Sequence, residues 1–416
     1  MKPLAIGLVA YAVLAYGYIT LTPIWQNPDE PAHVNYVAFV AQTGGLPELR
    51  QGDWDLALLE RLKTGALQPG DSVDSIRYES WQPPLFYVLA APIYRLGSAE
   101  PAAVVARLRT FDAVLGALTL IIAYAVAREV LPLPLAAAVP LTMVGVPMFV
   151  AVSSAVSADP LANLLSAGML LLLSRRLCRP ASDRTAWSLM TGGILGLGLL
   201  TKLALAIFVP LALIVVVARS SRPLREAAAT FGVAGLLALP WLAHQVTTYG
   251  WADPLALARH AAVVSDQERF PGVSLDYVAD FATITFHSFW AQFGWMAIVA
   301  PQRLYVIWGV VSTLAVLGLL VDRRWLRLPR WQLALGSVAA AFAAYVGYNL
   351  AFVQFQGRYL FPALVPIAML LVGGWARLVP NDRAKPLATL LVALTLVALN
   401  GYTLMRVLVP GFAPPP

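Results

Sequence analysis

Two adjacent carboxylates and a histidine follow the first apolar segment of the chain. Residues 4–24 carry no charged side chain, and Asp29, Glu30 and His33 come directly after them. Acidic side chains cost free energy in a bilayer, about 2.5–3.5 kcal/mol each at the centre of a helix and less near its end. Their position therefore indicates a function. A carboxylate here can take a proton from a hydroxyl group, and the acid–histidine set is a candidate site for a divalent metal ion.

Composition defines the class of protein. Hydrophobic residues make up 59% of the 416 and charged residues 12%, whereas a soluble domain carries about 25% charge. The mean hydropathy of +0.71 agrees with a polytopic membrane protein. A single cysteine, Cys178, excludes an internal disulfide framework, and the four histidines lack the spacing of a zinc motif.

Ten apolar runs have about the length needed to cross a bilayer. They are 4–24, 102–127, 133–151, 157–174, 186–218, 226–246, 303–321, 331–353, 359–376 and 386–408. The first resembles a signal peptide but lacks a clear cleavage site, so it is interpreted as an uncleaved span.

The distribution of charge predicts the topology. Four short connections, 175–185, 219–225, 322–330 and 377–385, hold 14 of the 29 basic residues, which places them in the cytoplasm and argues against a nucleic-acid partner. Two long loops, which hold 15 of the 22 acidic residues, then lie on the exoplasmic side; they are 25–101 and 247–302. Segment 186–218 must cross an even number of times, as a hairpin with Lys202 near its tip. Eleven crossings follow, with the N-terminus in the cytoplasm.

These features predict one all-α transmembrane domain over residues 1–416. Two short Pro-bounded stretches of the first loop, 29–43 and 83–96, are predicted to be helices lying at the outer membrane interface. Gly192 and Gly196 imitate part of a nucleotide-binding fingerprint, but no strand precedes them, so a close helix–helix contact explains them better.

The unusual polar residues share one level in this topology. Besides the first acidic motif, they are Glu79, Gln82, Asp159, Lys202 and Arg358, and each is placed at the exoplasmic membrane surface. Any one of them alone is explained by capping or by snorkelling to the headgroups. Because both signs of charge recur at one depth, a shared polar cavity is the better interpretation.

Five motifs occur in an order that resembles a known superfamily. They are NPDEPAHVNY, ESWQPPLFY, GLGLLTK, SFWAQFGWM and QGRYLFPALVPIAMLLVGGW, and they cover about residues 4–378. Together they are similar to the C-type (GT-C) membrane glycosyltransferases, which include protein O-mannosyltransferases and lipid A aminoarabinose transferases. The chain most resembles the small bacterial branch without a large soluble domain.

The resemblance implies an inverting glycosyltransferase of the bacterial cell envelope, with a polyprenyl-phosphate sugar donor and a GT-C-like helical bundle. Asp29 or Glu30 is then the base that accepts the proton of the acceptor hydroxyl, and Lys202 and Arg358 bind the charge that grows on the leaving phosphate. The expected substrate contacts are His33, Glu79, Gln82, Asp159 and Tyr359. The resemblance does not define a cofactor, and Asp29, Glu30 and His33 remain a candidate site for a divalent metal.

Two other functions stay open at this stage. A lipid or sugar transporter would fit the broken 186–218 segment, but transporters tend to show internal repeats, and none is evident. A non-catalytic membrane partner would not need the set of acids and cations. Arg109 and Asp112, three residues apart inside the second span, are predicted to form a structural pair. The sugar and the acceptor (a lipid, glycan or protein) are not determined by the sequence.

Overall fold

The computed structural model describes residues 2–65, 71–178 and 184–413. The predicted basic loop 175–185 is described only at its ends, and Arg179 lies outside the described residues. Within these ranges the chain is almost wholly helical. A short antiparallel strand pair, β1 (Gln292–Phe293) and β2 (Ile298–Val299), lies in the second long loop.

The first half of the bundle contains α1 (Lys2–Leu21), α2 (Glu30–Thr43), α3 (Leu56–Lys63), α4 (Leu85–Tyr94), α5 (Pro101–Val130), α6 (Leu133–Ala136), α7 (Ala138–Val144), α8 (Pro147–Val152), α9 (Asp159–Cys178) and α10 (Arg184–Leu199). The second half contains α11 (Phe208–Arg219), α12 (Pro223–Tyr249), α13 (Leu257–Val263), α14 (Leu275–Trp290), α15 (Gln302–Val321), α16 (Pro329–Asn349), α17 (Leu364–Leu378), α18 (Lys385–Thr403) and α19 (Val409–Gly411). Three-ten helices cover Val73–Ser75, Leu203–Ile207, Arg323–Arg327 and Gly357–Ala363, and a π-helical turn covers Leu404–Leu408.

Six helical segments are long and apolar enough to cross a membrane, by length and composition, among the described residues. They are Leu4–Leu21, Pro101–Val130, Pro223–Tyr249, Gln302–Val321, Gly357–Leu378 and Lys385–Gly411, and three shorter apolar helices accompany them. The chain is therefore a multi-pass membrane protein. The count of eleven crossings stays a prediction.

The segment 186–218 consists of two short helices, as the charge distribution predicts. Helices α10 and α11 are joined by Leu200–Lys202 and a three-ten turn. Helix α10 packs closely on α12, because a Cβ at Gly192 would lie 2.3 Å from the Thr230 carbonyl oxygen and one at Gly196 would lie 2.9 Å from Leu237 Cβ. The two glycines therefore serve a helix contact, as predicted from their spacing.

The run 133–151 is the largest departure from the predicted helices. It forms three short helices, α6, α7 and α8, instead of one continuous span. Pro147 begins α8, directly after a turn at Gly145 and Val146, since proline lacks an N–H and disfavours a helical residue before it. The stretch is nevertheless buried from Leu135 to Ala158, so this broken chain lies inside the bundle.

The first long loop is packed against the bundle. Helices α2 and α4 bury Val37, Phe86 and Tyr87 against Val105 and Leu108 of α5. Helix α3 contributes to a separate cluster that also contains residues of the second loop. The helices predicted for this loop are present, and their placement at the membrane interface stays a prediction.

Candidate active site

Asp29 lies in a tight turn between α1 and α2. Its backbone has φ 66°, in the left-handed region, and Pro31 follows in the first turn of α2. The Asp29 carboxylate makes no capping bond to the helix it precedes. It accepts a hydrogen bond from the Tyr78 hydroxyl at 2.8 Å and pairs with the Arg358 guanidinium. The turn therefore directs this carboxylate away from its own helix.

Four charged residues from distant parts of the chain meet at this position. Arg358 pairs with Asp29, and its other terminal nitrogen lies 3.8 Å from Asp159 Oδ2. Lys202 donates to Asp159. Asp159 is the first residue of α9, and Lys202 lies between α10 and α11. The structure thus brings these predicted residues into one cluster of alternating charge, although their roles are not tested by this placement.

The cluster is shielded but not sealed. The side chains of Asp29 and Lys202 are 24% and 23% exposed, whereas that of Arg358 is 8% exposed. Burial works to raise the pKa of the Asp29 carboxyl, but the Arg358 guanidinium and His33 oppose it and hold the pKa below its usual value. Asp29 is therefore an ionised carboxylate within reach of an incoming group.

A glycine allows Arg358 to reach the cluster. A Cβ at Gly357 would lie 2.4 Å from the Phe289 amide nitrogen and 2.5 Å from the Thr285 carbonyl oxygen. The Gly357 amide also donates to the Ser288 hydroxyl at 2.7 Å. The three-ten helix Gly357–Ala363 therefore packs directly on the backbone of α14. This close contact sets the position of the following arginine.

Glu30 faces a different part of the molecule from its neighbour Asp29. Its side chain is fully buried, and Arg109 of α5 contacts both of its oxygens at 2.8 and 2.7 Å. Arg109 also donates to the carbonyl oxygens of Ile19, Thr22 and Pro23, at the end of α1. The Glu30–Arg109 pair therefore ties the end of α1 to the start of α2.

The predicted pair of Arg109 and Asp112 is wrong. Arg109 directs its guanidinium to Glu30, and the Asp112 carboxylate accepts the Ser157 amide at 3.1 Å instead. Two residues three apart on a helix are neighbours, but a partner on another element that satisfies both oxygens of a carboxylate forms a better bidentate pair.

His33 and Glu79 lie beside the cluster in states set by burial. The imidazole of His33 bonds with the Tyr87 hydroxyl at 2.9 Å, and burial lowers the pKa of His33 to about 4. Burial, followed by the negative charge of Asp29, raises the pKa of Glu79 to about 8. Glu79 accepts a hydrogen bond from the Gln82 amide. At neutral pH the site thus contains an uncharged histidine and a largely protonated glutamic acid.

Tyr359 covers one side of the cations. The Lys202 amine lies 5.7 Å from the centre of its ring, and the ring contacts Tyr345 and Tyr348. An aromatic face beside an amine stabilises the positive charge. Tyr359 therefore belongs to the same site as Lys202.

The candidate metal set does not converge. Glu30 points to Arg109, and Asp29 points to Arg358, so Asp29, Glu30 and His33 do not face a common point. In the described part of the chain there is no group of three histidine, cysteine or acidic side chains suited to a metal ion. Use of a metal ion by these residues stays a prediction.

Sequence reasoning missed one residue of the site and gave another the wrong partner. Tyr78 donates to Asp29, and it stands next to Glu79 in the motif YESWQ, which was the available signal. Arg109 was noticed as a charge inside an apolar helix. Its partner across the fold could not be found from local spacing.

Comparisons with known proteins agree with this architecture. Residues 82–244 match the family model described as dolichyl-phosphate-mannose-protein mannosyltransferase. The fold is similar to that of ArnT from Cupriavidus metallidurans bound to undecaprenyl phosphate, with 16% identity, a TM-score of 0.57, and coverage of 98% of this chain and 73% of that chain. A search of curated protein sequences found no significant match.

A second group of similar structures comes from an archaeon. The oligosaccharyltransferase of Archaeoglobus fulgidus in the apo form has 16% identity and a TM-score of 0.58, over 98% of this chain and 55% of that chain. AglB from the same organism, in complex with an inhibitory peptide and a dolichol-phosphate, has 15% identity and a TM-score of 0.55, over 96% and 55% of the two chains. The chain thus spans about half the length of these archaeal enzymes.

The family match covers less than half of the chain, and the fold is that of a membrane-embedded helical bundle. In its fold and over the matched segment the chain is similar to these transferases, in line with its resemblance to the C-type (GT-C) membrane glycosyltransferases. None of these findings supports the transporter alternative.

Proposed function

We propose that the chain transfers a sugar, with inversion, from a polyprenyl-phosphate donor to an acceptor hydroxyl, and that Asp29 is the base. The observation that carries this proposal is the partly exposed Asp29 carboxylate, which is paired with Arg358 beside Lys202. The ligands of the similar structures, undecaprenyl phosphate in ArnT and dolichol-phosphate in AglB, support the class of donor.

The reaction requires one carboxylate and a site for one phosphate. The acceptor oxygen forms a bond to the anomeric carbon while the bond from that carbon to the phosphate oxygen breaks. Asp29 takes the hydroxyl proton, and the polyprenyl phosphate leaves with the electron pair of the broken bond. A single displacement of this kind inverts the anomeric centre. A positioned base contributes a factor of about 10²–10⁴ to such a rate.

Lys202 and Arg358 are suited to bind the leaving phosphate. Asp159 and Asp29 form ion pairs with them. A phosphate that approaches both cations gains negative charge as its bond to the sugar breaks, so the two cations stabilise the transition state more than the ground state. Asp159 then keeps Lys202 oriented between turnovers.

Glu30 acts as a positioning residue in this proposal. With Arg109 it fixes the turn that holds Asp29 in the left-handed conformation. His33, Glu79, Gln82 and Tyr359 surround the same space and are suited to contact hydroxyl groups of the sugar. Because the acid–histidine set does not converge, the proposed step uses no metal ion held by it. Activity that survives EDTA treatment is the expected result.

The active site is proposed to face the exoplasmic side of a bacterial inner membrane. The described ends of the arginine-rich connections lie close together: Arg176 pairs with Glu226 at 2.7 Å, and Glu129 at the end of α5 accepts hydrogen bonds from Arg175 at 3.3 Å and from Arg330 at 3.2 Å. These basic ends belong to α9, α12 and α16, and their clustering supports a cytoplasmic surface at that end.

Two measurements test the proposal. Mass spectrometry of lipids that copurify with the full chain should detect a polyprenyl phosphate or its glycosylated form, and the reconstituted protein should transfer the sugar of that lipid. For topology, Ala204→Cys beside Lys202 should react with an impermeant reagent from outside in a Cys178→Ser background, whereas Ser221→Cys should not. If Ala204→Cys is labelled only from the cytoplasm, the proposed exoplasmic position of the active site is wrong.

A further inference from the structure

A second cavity lies on a face of α2 that does not carry the proposed catalytic residues. Its volume is about 760 Å³, within the range of small-molecule sites. Asn35, Ala38, Phe39 and Gln42 line it, and their spacing of three and four residues defines one face of the helix. Neither Asp29 nor His33 lines this cavity. It is therefore separate from the charge cluster.

The cavity and the charge cluster share one wall. Arg77 and Ser80 line the cavity. Between them in sequence, Tyr78 donates to Asp29, and Glu79 lies close enough to Asp29 for its pKa to respond to that charge. Two residues of this four-residue segment therefore line the cavity, and the two between them face the charge cluster. A molecule that fills the cavity lies against the segment that orients the proposed base.

The charges of the cavity wall disfavour an anion. Glu48, Asp53, Asp71 and Asp74 line it together with only two arginines, Arg50 and Arg77. Arg50 pairs with Glu48 at 3.0 Å. The Arg77 side chain donates to the Asp74 carbonyl oxygen at 2.6 Å. A phosphate or sulfate would meet net negative charge and occupied arginines, whereas a neutral ligand would meet acceptors for its hydroxyl groups.

The remaining wall is aromatic and amide-bearing. Trp25, Phe39 and Tyr94 line it, each half-buried. The side chains of Gln42 and Asp74 are exposed at this wall, and within the described ranges neither forms a hydrogen bond to the protein. Aromatic faces pack on the C–H faces of a sugar ring, and unpaired carboxylate and amide groups bond its hydroxyls. This combination fits an uncharged saccharide.

We propose that this cavity binds a neutral saccharide portion of the acceptor and holds it while the reacting hydroxyl reaches Asp29. The inference rests on the proposed glycosyl transfer and identifies a glycan as the acceptor. Residues around the cavity act on binding of the acceptor, so their substitution should raise its KM and leave kcat nearly unchanged.

Direct binding provides the first test. The full chain in lipid nanodiscs, which contain no glycoside detergent, is titrated with N-acetylglucosamine, mannose and N,N′-diacetylchitobiose by saturation-transfer NMR. Saturable binding of at least one of them is expected. Ala38→Trp, which fills the cavity, should weaken it by about tenfold or more. Gln42→Ala combined with Asp74→Ala should weaken it by about tenfold through loss of hydrogen bonds.

Matched variants separate this inference from the proposed function. Ser75→Ala, next to Asp74 but outside the cavity lining, should bind like the original chain. Asp29→Asn should also retain saccharide binding, so the cavity is tested even where the assignment of the base fails. The melting temperature of each variant shows whether it is folded. If Ala38→Trp does not fold, the variant that combines Gln42→Ala with Asp74→Ala provides the test instead.

Three results would overturn the inference. They are no saturable binding of any of the three saccharides, equal binding by the folded cavity variants, and preferential binding of inorganic phosphate in this cavity. An unchanged acceptor KM in cavity variants that have lost saccharide binding would exclude the acceptor as the occupant.

Discussion

Asp29 and Glu30 are adjacent in sequence, yet the structure places them in opposite environments. Asp29 is partly exposed and bonds to Tyr78 of the first loop and to Arg358 of the three-ten helix Gly357–Ala363. Glu30 is fully buried, and Arg109 contacts both of its oxygens. An accessible carboxylate can exchange its partner for a substrate, whereas a buried bidentate pair cannot be opened without a large cost. One acid is suited to chemistry and the other to holding the turn.

Substitution of Asp29 is expected to have the largest effect on turnover. Asp29→Asn removes the proposed base but keeps the shape of the side chain, so the transfer rate should fall by about 10²–10⁴-fold. Copurification of donor lipid and the melting temperature should change little. Asp266→Asn, an exposed acid of the second loop, is the control and should keep full activity. Normal turnover in Asp29→Asn would remove this residue from the mechanism.

Substitution of Arg109 should act on stability first. Arg109→Ala leaves the Glu30 carboxylate buried without its partner, at a cost of about 3–5 kcal/mol in the free energy of unfolding. Unfolding followed by circular dichroism in detergent measures this loss.

The pair of Arg175 and Glu129 provides the control, because its arginine is half exposed and only its glutamate is buried. The Arg175 side chain is 50% exposed, so Arg175→Ala should cost less than about 1 kcal/mol. In Arg109→Lys, which keeps the charge, partial recovery of stability together with a lowered kcat and an unchanged donor KM would support a positioning role. Equal stability of Arg109→Ala and Arg175→Ala would contradict the comparison.

Substitutions of Lys202 and Arg358 should separate the effect of positive charge from the effect of hydrogen-bond geometry. Loss of a hydrogen bond to a charged group costs about 1.5–3 kcal/mol, so Lys202→Ala and Arg358→Ala should each lower turnover by about 10–100-fold. Arg358→Lys should restore only part of it, since the planar pair of N–H donors is lost. Binding of the donor lipid should weaken less than turnover. Unchanged donor binding and turnover in the double alanine variant would exclude the phosphate site.

Glu79 affects how stability depends on pH, and the sign of its effect is clear. Its pKa is raised from the usual 4.5 to about 8, so the folded state holds a proton that the unfolded state releases. The associated stability is fully present below about pH 4.5 and is lost as the pH rises towards 8. Glu79→Gln lacks this dependence. The difference in melting temperature, variant minus original, should therefore increase from pH 5 to pH 8 and then level off.

Titration of His33 does not alter this difference in melting temperature. Its lowered pKa makes stability fall as the pH drops from about 6.5 towards 4, which affects the original chain and Glu79→Gln alike. A difference in melting temperature that does not vary with pH would show that Glu79 is ionised throughout the range.

Much of the architecture could be predicted from the sequence. The apolar runs locate the helices, and the arginines on both sides of 186–218 predict a pair of helices there. The run 133–151 shows the limit. Its hydrophobicity is sufficient for a span, but a turn at Ala137 and another at Gly145 and Val146, before Pro147, divide it into three helices, and hydropathy does not record such breaks.

The sequence by itself determined which residue types carry the site: two acids after the first span, a lysine between two short helices, and an arginine before a late span. Only the tertiary structure decided which of them meet. Helix periodicity reports neighbours three or four residues apart, so it suggested Asp112 as the partner of Arg109 and could not distinguish Asp29 from Glu30. Their partners, Arg358 and Arg109, reach them from other elements. At the left-handed turn of Asp29, two adjacent side chains point in different directions. Which direction each takes depends on packing rather than on composition.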